Sequence, residues 1–446
     1  MLTGWGRTSP TEAQVRTVSD EADVVASVAS APSRGILARG LGRSYGDSAQ
    51  DAGGEVLDMT SLDEAQRAGA TLKVQAGASL DALLRQLVPE GYFVPVTPGT
   101  RFVTVGGAIA ADIHGKNHHV EGSFGQHVRS LRLVTGTGDV LTCGPEVESE
   151  AFWATVGGMG LTGVITEAEI GLLPIETSRM RVDTQRYADL DALMSAMVEG
   201  DHRYRYSVAW VDSLSPAGRG VLTRGDHARV GDLPARVTDP LAYDPRARLG
   251  APAWVPSGLL NRASIRAFNE AWFRRAPRRR DGEIHTIPAF FHPLDGVRGW
   301  NRAYGRGGFL QYQFVVPDTA GELIGRALAL LREAGAPSFL TVLKRFGEGN
   351  PAPLSFPRAG WTLAADVPAA LPGLGEALDA LDEEVLAAGG RHYLAKDSRM
   401  SARTLAAGYP RLQEWQRVRA RLDPHGVFAS DQARRLSIIP WLGSSA

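Results

Sequence analysis

Short stretches of alternating apolar and polar positions dominate the first 175 residues and are separated by glycine-rich turns. GILARG (35–40), TLKVQAG (71–77), LRLVTGTGDVLT (131–142) and TGVITEAEI (162–170) read as strands, the third as a hairpin. A helix is predicted over 80–88. Ser79 supplies an oxygen for the free amides of its first turn, and Leu80, Leu83, Leu84 and Leu87 fall on one face.

From about 205 to 400 the pattern changes. A strand at 308–316 leads into a helix at 320–334 closed by Gly335 and Pro337, then a strand at 338–346. A second round follows: a strand near 360–366, a helix at 374–388 ending in Gly389-Gly390, and a strand at 391–395. This predicts an α+β fold with helices on one face of a mostly antiparallel sheet. The segment 213–300, rich in Pro, Gly and Arg, reads as long loops with short elements, and the tail as a helix over 402–421 followed by DPHGVF (423–428). There is no internal repeat and no low-complexity tract.

The composition narrows the function class. With 446 residues, 43% hydrophobic, 22% charged and a net charge of -1, the chain has the make-up of a soluble globular protein of two or three domains. Its near-neutral balance excludes a general nucleic-acid binder. One cysteine, Cys143, excludes an internal disulfide and a Cys-rich metal site. The N-terminal MLTGWGRTSP lacks the features of a secretory signal, and no apolar run reaches the roughly 18 residues needed to cross a bilayer. Of 48 Lys+Arg residues only four are lysines: Lys73, Lys116, Lys344 and Lys396. Where Lys has given way to Arg almost everywhere, the remaining lysines are candidates for positions that need a compact ammonium.

Three glycine-rich segments carry candidate chemistry. In ARGLGRSYGD (38–47) the glycines at 40, 42 and 46 are one residue too long for a dinucleotide fingerprint, and no apolar helix follows. Such a loop, with Arg39 and Arg43 nearby, cradles a pyrophosphate with bare amides; a tight turn between strands is the plain alternative. In PGTRFVTVGGAIAADIHGKNHH (98–119), Gly99, Gly106 and Gly107 let a cofactor lie against the main chain. His114 and His118 have helical ligand spacing, but Gly115 and Asn117 disfavour that helix and no carboxylate or Cys joins them, so no metal is assigned and a cofactor-side His114/Lys116 pair is favoured. FWATVGGMGLTGVI (152–165) is the third loop, and together the three point to one large extended dinucleotide. On the strand 308–316, Gln311 and Gln313 share one face and Leu310, Tyr312, Phe314 and Val316 the other. The amides line either a polar cavity or solvent. Lys344 shares a face with Leu340 and Val342, as in a pocket wall, and Lys396 follows a strand in HYLAKDSR. The cluster RRAPRRR (274–280) after Ala271-Trp272-Phe273 is a solvated loop or a contact for anionic lipid.

The strings LTGWGRTSP, ARGLGRSYGD, PGTRFVTVGGAIAADIHGKNHH, GSFGQHVRS, FWATVGGMGLTG, NRAYGRGGFLQYQFVVP, APLSFP, AKDSR and FASDQARRL resemble the decaprenylphosphoryl-β-D-ribose 2-oxidase family, from Leu2 to about Leu436. Those enzymes are the flavoprotein half of an epimerase pair that makes the arabinose donor for actinobacterial cell walls. The resemblance implies a two-domain vanillyl-alcohol-oxidase-type fold: an FAD-binding domain from 1–177 and 391–446, and a substrate domain over 178–390 between them. It implies FAD contacts from Arg39, Gly40, Leu41, Gly42, Arg43, Ser44, Tyr45 and Gly46, from Gly99, Thr104, Val105, Gly106 and Gly107, and from Ala111, Asp112, Ile113, His114, Ile165 and Tyr393. Lys116, Tyr304, Gln311, Gln313, Lys344, Ala364 and Lys396 would line the substrate side, with Trp210 nearby.

The implied reaction is hydride transfer from C2 of the ribose to FAD, giving a 2-keto sugar. Lys396 is the leading candidate to polarise the hydroxyl or take its proton, and Tyr45 is a second proton acceptor. Lys116 and Lys344 would hold the sugar or phosphodiester as point charges, and His114 completes the catalytic candidates. FAD is expected to be non-covalent, although related enzymes attach it through a His at the position of His114. The implied partners are a lipid-linked phosphoryl pentose, an NADH-dependent short-chain reductase, and a quinone or oxygen as electron acceptor. The implied location is peripheral to the plasma membrane or cell envelope, reached through loops such as AWVPSGLL (253–260).

Three positions depart from the family: Ala364 stands where a Cys is usual, Thr362 where Asn is usual and Val208 where Ser is usual. They leave open a relative acting on another sugar alcohol. A flavin-free binding protein is disfavoured by the intact glycine loops. Covalent inhibitors that need the missing thiol are expected to leave the chain's intact mass unchanged.

Overall fold

The computed structural model describes residues 1–439, apart from 248, 253 and 257. Near the N-terminus the strands Gln14–Thr17, Glu55–Asp58 and Ile36–Arg39 form a parallel sheet with Glu55–Asp58 in the middle. A five-stranded antiparallel sheet follows, in the order Ala65–Ala68, Thr71–Gln75, Val164–Gly171, Val128–Val134 and Val140–Cys143. The helix Leu80–Leu87 begins as its sequence predicts: Ser79 accepts a hydrogen bond from the Ala82 amide, and Leu80, Leu83, Leu84 and Leu87 are buried.

The second large sheet has eight antiparallel strands, in the order Arg279–Thr286, Arg179–Tyr187, Gly220–His227, Tyr206–Val211, Thr341–Phe346, Gly360–Pro368, Phe309–Val316 and Arg391–His392. The helices Leu190–Gly200, Glu322–Glu333 and Leu374–Ala387 cover one face. Because side chains alternate along a strand, Leu310, Tyr312, Phe314 and Val316 enter that helix-facing core. The opposite face, carrying Gln311 and Gln313, is left to line a cavity.

Several expected elements differ from those observed. The region 213–300 contains two full strands of the large sheet and the 14-residue helix Arg262–Arg275. The outermost strand, Arg279–Thr286, is an exposed edge rich in charge, so it lacks a buried alternation to betray it. The tail helix breaks into Ala402–Gly408 and Leu412–Leu422, because Pro410 has no amide to continue the ladder. The strand at 338–346 is ordered as a strand only from Thr341, and that at 391–395 stops at His392, where the chain turns so that the Lys396 amide donates to Tyr393 O. A short helix, Val105–Ala110, forms in the second glycine-rich segment because Thr104 Oγ1 accepts from the Gly107 amide.

The end of the chain returns to its beginning. Phe428 bridges Ile36, and Asp431 accepts from Thr11 Oγ1 (2.9 Å) and from the Ala52 amide (2.8 Å). Arg434 pairs with Asp51, and Arg435 with both Asp47 (2.8 Å) and Asp397 (2.7 Å). These contacts fix the loop that follows Arg39.

Candidate active site

A cavity of about 1200 Å³ lies between the three glycine-rich loops and the uncovered face of the eight-stranded sheet. On the loop side, the amides of Leu41, Gly42, Arg43 and Ser44 donate to no backbone carbonyl among the described residues. Four bare donors in a turn form an anion-binding concavity. Gly42 has φ +61°, a left-handed conformation that favours glycine, and a Cβ there would meet the Arg39 guanidinium at 2.3 Å. Arg39 also borders the cavity. It donates to the carbonyls of Ala49 and Thr3, and so props the loop from below. Arg43 is held by Phe102 O (3.0 Å) and lies 4.1 Å over the Trp5 ring. Gly99 borders the cavity with no atom within 4 Å of where a Cβ would stand, so a side chain there would project into the space a ligand fills. Gly106, Gly107, Ala111, Ile113, Ile165 and Tyr393 extend the wall, and Tyr393 donates to Ala111 O (2.8 Å). A bare-amide turn running into an extended glycine and small-residue wall suits the pyrophosphate and flat ring system of FAD.

Across the cavity the sheet presents Trp210, Gln311, Gln313, Lys344 and Ala364, joined by Lys116 and Lys396 from loops. Three of the four lysines therefore meet at one wall; Lys73 is exposed and pairs with Glu167 at 3.1 Å. Burial pushes the Lys116 amine down to about 7, and it donates to Phe290 O and lies 4.4 Å from the Phe290 ring. Burial, reinforced by Lys116 and Lys396, pushes Lys344 down to about 7 as well. Burial likewise lowers Lys396, and the carboxylate of Asp366 opposes that fall. The Lys396 ammonium sits 3.9 Å over the ring of Tyr45. Tyr45 is buried and held well above the ordinary phenol range, first by burial and then by Asp366, so it is an uncharged hydroxyl.

His114 is central to this wall. Burial and then Lys344 push its imidazolium form well down, so the ring is neutral. Lys344 Nζ lies 2.9 Å from Nδ1, and the carboxamide of Gln313 lies 3.0 Å from Nε2. A neutral imidazole has one donor and one acceptor nitrogen. Gln313 Nε2 is the atom that faces His114 Nε2, and Lys344 Nζ faces Nδ1, so each ring nitrogen has a nitrogen partner.

Four expected site residues do not border the cavity. Gly46 packs where a Cβ would meet Asp397 O at 2.0 Å, so it serves the close approach of two loops. Val105 points into the core beneath the small helix. Asp112, at φ +40°, is buried and accepts from the Gly125 amide (2.9 Å), Ser123 (2.9 Å), Asn350 (2.7 Å) and Ser355 (2.5 Å), which sets the path of the chain into His114. Tyr304, expected on the substrate side, stacks on Phe309 at 4.3 Å, behind Tyr45. Its aromatic ring is drawn into that cluster by burial of a large apolar surface. His118 is also away from the cavity, its ring 4.5 Å from Phe346. Sequence reasoning missed Asp366. The signal was a lone carboxylate in phase with Thr362 and Ala364 on an otherwise apolar strand.

Comparison with known proteins agrees with this geometry. Residues 13–144 match the FAD binding domain family, and residues 376–436 match the D-arabinono-1,4-lactone oxidase family. The chain is 47% identical over 450 residues to decaprenylphosphoryl-β-D-ribose oxidase of Mycolicibacterium smegmatis, covering 98% of this chain and 97% of that protein. It is 41% identical to an uncharacterised Streptomyces coelicolor protein, over 81% of this chain and all of that one. Cytokinin dehydrogenase 4 of Oryza sativa is 36% identical over a shorter stretch, 31% of this chain and 28% of the plant protein. The fold is of the vanillyl-alcohol-oxidase type, the cofactor is FAD, and the protein is an FAD-dependent oxidoreductase. The chain belongs to the decaprenylphosphoryl-β-D-ribose oxidase family.

Proposed function

We propose that the protein oxidises the C2 hydroxyl of a polyprenyl-phosphoryl-β-D-ribose to the 2-keto sugar. The observation that carries this reading is the meeting of Lys116, Lys344 and Lys396 with Gln311 and Gln313, across the cavity from the glycine cradle. When bound, FAD accepts the hydride from the carbinol carbon. The cradle of Gly40 to Ser44, Gly99, Thr104, Gly106 and Gly107 would hold it. The expected cofactor contacts Gly46, Val105 and Asp112 shape the loops from behind. Both ring nitrogens of His114 are engaged by Lys344 and Gln313, which supports dissociable rather than His-linked FAD.

Each side chain on the opposite wall has a task. Gln311 and Gln313 orient the sugar hydroxyls. Lys116 and Lys344 offer two ammonium groups to a phosphodiester. Lys396 polarises the reacting hydroxyl and steadies the charge that develops as its proton leaves, with Tyr45 as the neighbouring hydroxyl. A reading with a different sugar alcohol is favoured by two residues on the cavity wall, Val208 and Ala364, and by Thr362, which accepts from Gln313 at 3.3 Å. An NADH-dependent reductase would return the keto sugar as the epimer for arabinan synthesis, and a quinone or oxygen would take the electrons.

The direct test is anaerobic. Adding a short-chain polyprenyl-phosphoryl ribose to the yellow protein should bleach the oxidised flavin band. A band that persists with this substrate but bleaches with another sugar alcohol moves the assignment to the second reading.

Access to a lipid-linked substrate would come from the membrane surface. No helix among the described residues is long and apolar enough to cross a membrane. Trp272 and Arg275 border the cavity, and the adjoining helix also carries Arg262, Arg266 and Arg274 beside exposed Phe268. Trp254 in the 253–260 loop is 77% exposed; Ala253 and Ser257 of that loop lie outside the described residues. Aromatic and arginine side chains together suit an anionic bilayer surface. The protein should co-sediment with phosphatidylglycerol vesicles at low salt and be released at high salt, and sedimentation without it at low salt would refute the docking face.

A further inference from the structure

Asp366 lies two residues beyond Ala364 and pairs in register with Gln311 on the neighbouring strand. It is fully buried. Its Oδ1 accepts a hydrogen bond from Gln311 Nε2, and the same nitrogen lies 3.2 Å from the Tyr45 hydroxyl. Its Oδ2 has no partner among the described residues. A carboxylate oxygen left bare in a dry interior is costly unless a positive charge stands nearby. The cation that interacts with it is Lys396, whose ammonium lies over the ring of the same Tyr45 that Gln311 reaches.

We infer that Asp366 is a positioning residue for the reaction: its charge acts across space on both Lys396 and Tyr45, keeping Lys396 charged and Tyr45 an uncharged hydroxyl, while the hydrogen bond it accepts from Gln311 sets that carboxamide against the Tyr45 hydroxyl. The groups around Lys396 support this division of roles. Lys344 and His114 face it from the sheet and from the loop at 113–116, and Lys344 makes the cavity less hospitable to a further cation. Tyr304 stands behind Tyr45 with its hydroxyl buried and without a partner among the described residues. Asp397, the next residue along, is turned away to Arg435 and the amides of Arg399 and Met400. Asp366 is thus the carboxylate that offsets the fall in Lys396, and burial in turn raises Asp366 itself to about 7.

This inference rests on the reading of Lys396 as the group that meets the substrate hydroxyl, but its test reads the amine directly and needs no substrate. The holoenzyme is treated with limiting acetic anhydride across a pH series, and acetylation at Lys396 is measured by peptide mass spectrometry relative to exposed Lys73. In Asp366→Asn the midpoint of Lys396 labelling should fall by about one pH unit or more, the effect of removing a nearby opposite charge. Asp366→Glu should restore it. Asp366→Ser, which keeps a small polar group against Gln311, is the second neutral variant should the first fail to fold. The pH profile of anaerobic flavin reduction should move in the same direction. An unshifted Lys396 midpoint in a folded neutral variant overturns the inference, as does an equal shift in Asp366→Glu.

Discussion

Lys396→Ala should slow anaerobic flavin reduction by about 10³-fold while the protein stays yellow, within the range general acid–base groups contribute. The Lys396 side chain rests over the Tyr45 ring and makes no ion pair or hydrogen bond among the described residues, so its removal leaves the cradle for FAD intact. Lys396→Arg should not restore the rate. A planar guanidinium is wider than the compact ammonium it replaces and cannot sit as a point charge over the Tyr45 ring. Stopped-flow traces of the oxidised flavin band give the rate constant, and the flavin-to-protein ratio checks the cradle. A loss below about tenfold would remove Lys396 from the chemistry and leave Tyr45 or Lys116 as the group that handles the proton.

Gly40→Val should produce a folded protein that is purified without FAD. A Cβ at Gly40 would stand 2.2 Å from Thr104 Oγ1, 2.8 Å from Cγ2 and 3.0 Å from Cβ, too close for any rotamer of Thr104 to relieve. Thr104 also caps the Val105–Ala110 helix, so the clash separates two walls of the cradle and disturbs the cap at once. Titration with FAD, followed by quenching of flavin fluorescence, should show affinity weakened at least about 100-fold, equivalent to about 2.7 kcal/mol. Circular dichroism should stay close to that of the parent. Retention of FAD by a folded Gly40→Val would show that the loop does not carry the cofactor.

How much of this was legible in the sequence depended on whether a residue's role was written in local pattern. The strand at 309–316 was readable because its two faces differ in kind, and the lysines were readable because the chain has so few. The glycine loops could be recognised, but not the division of labour within them: nothing local shows that the Arg39 guanidinium, beside the cavity, is held by the carbonyls of Ala49 and Thr3. Tyr304 could not be separated from Tyr45 by pattern, because stacking on Phe309 is a tertiary choice. Asp366 was overlooked for the same reason. One carboxylate near the end of an apolar strand resembles an ordinary strand terminus until its neighbours from 45, 311 and 396 are assembled around it.

The return of the chain's end to its beginning has a consequence for how the protein is made. Thr11 and Asp431 are bonded across 420 residues, and Asp47 and Arg435 across 388. While the ribosome is still translating the central region, the loop after Arg39 lacks the arginines that pin it, whereas neighbouring strands such as Tyr206–Val211 and Gly220–His227 can pair as soon as they emerge. The FAD cradle is therefore completed only once the segment carrying Asp431, Arg434 and Arg435 has been made, and cofactor loading should follow the folding of the central sheet.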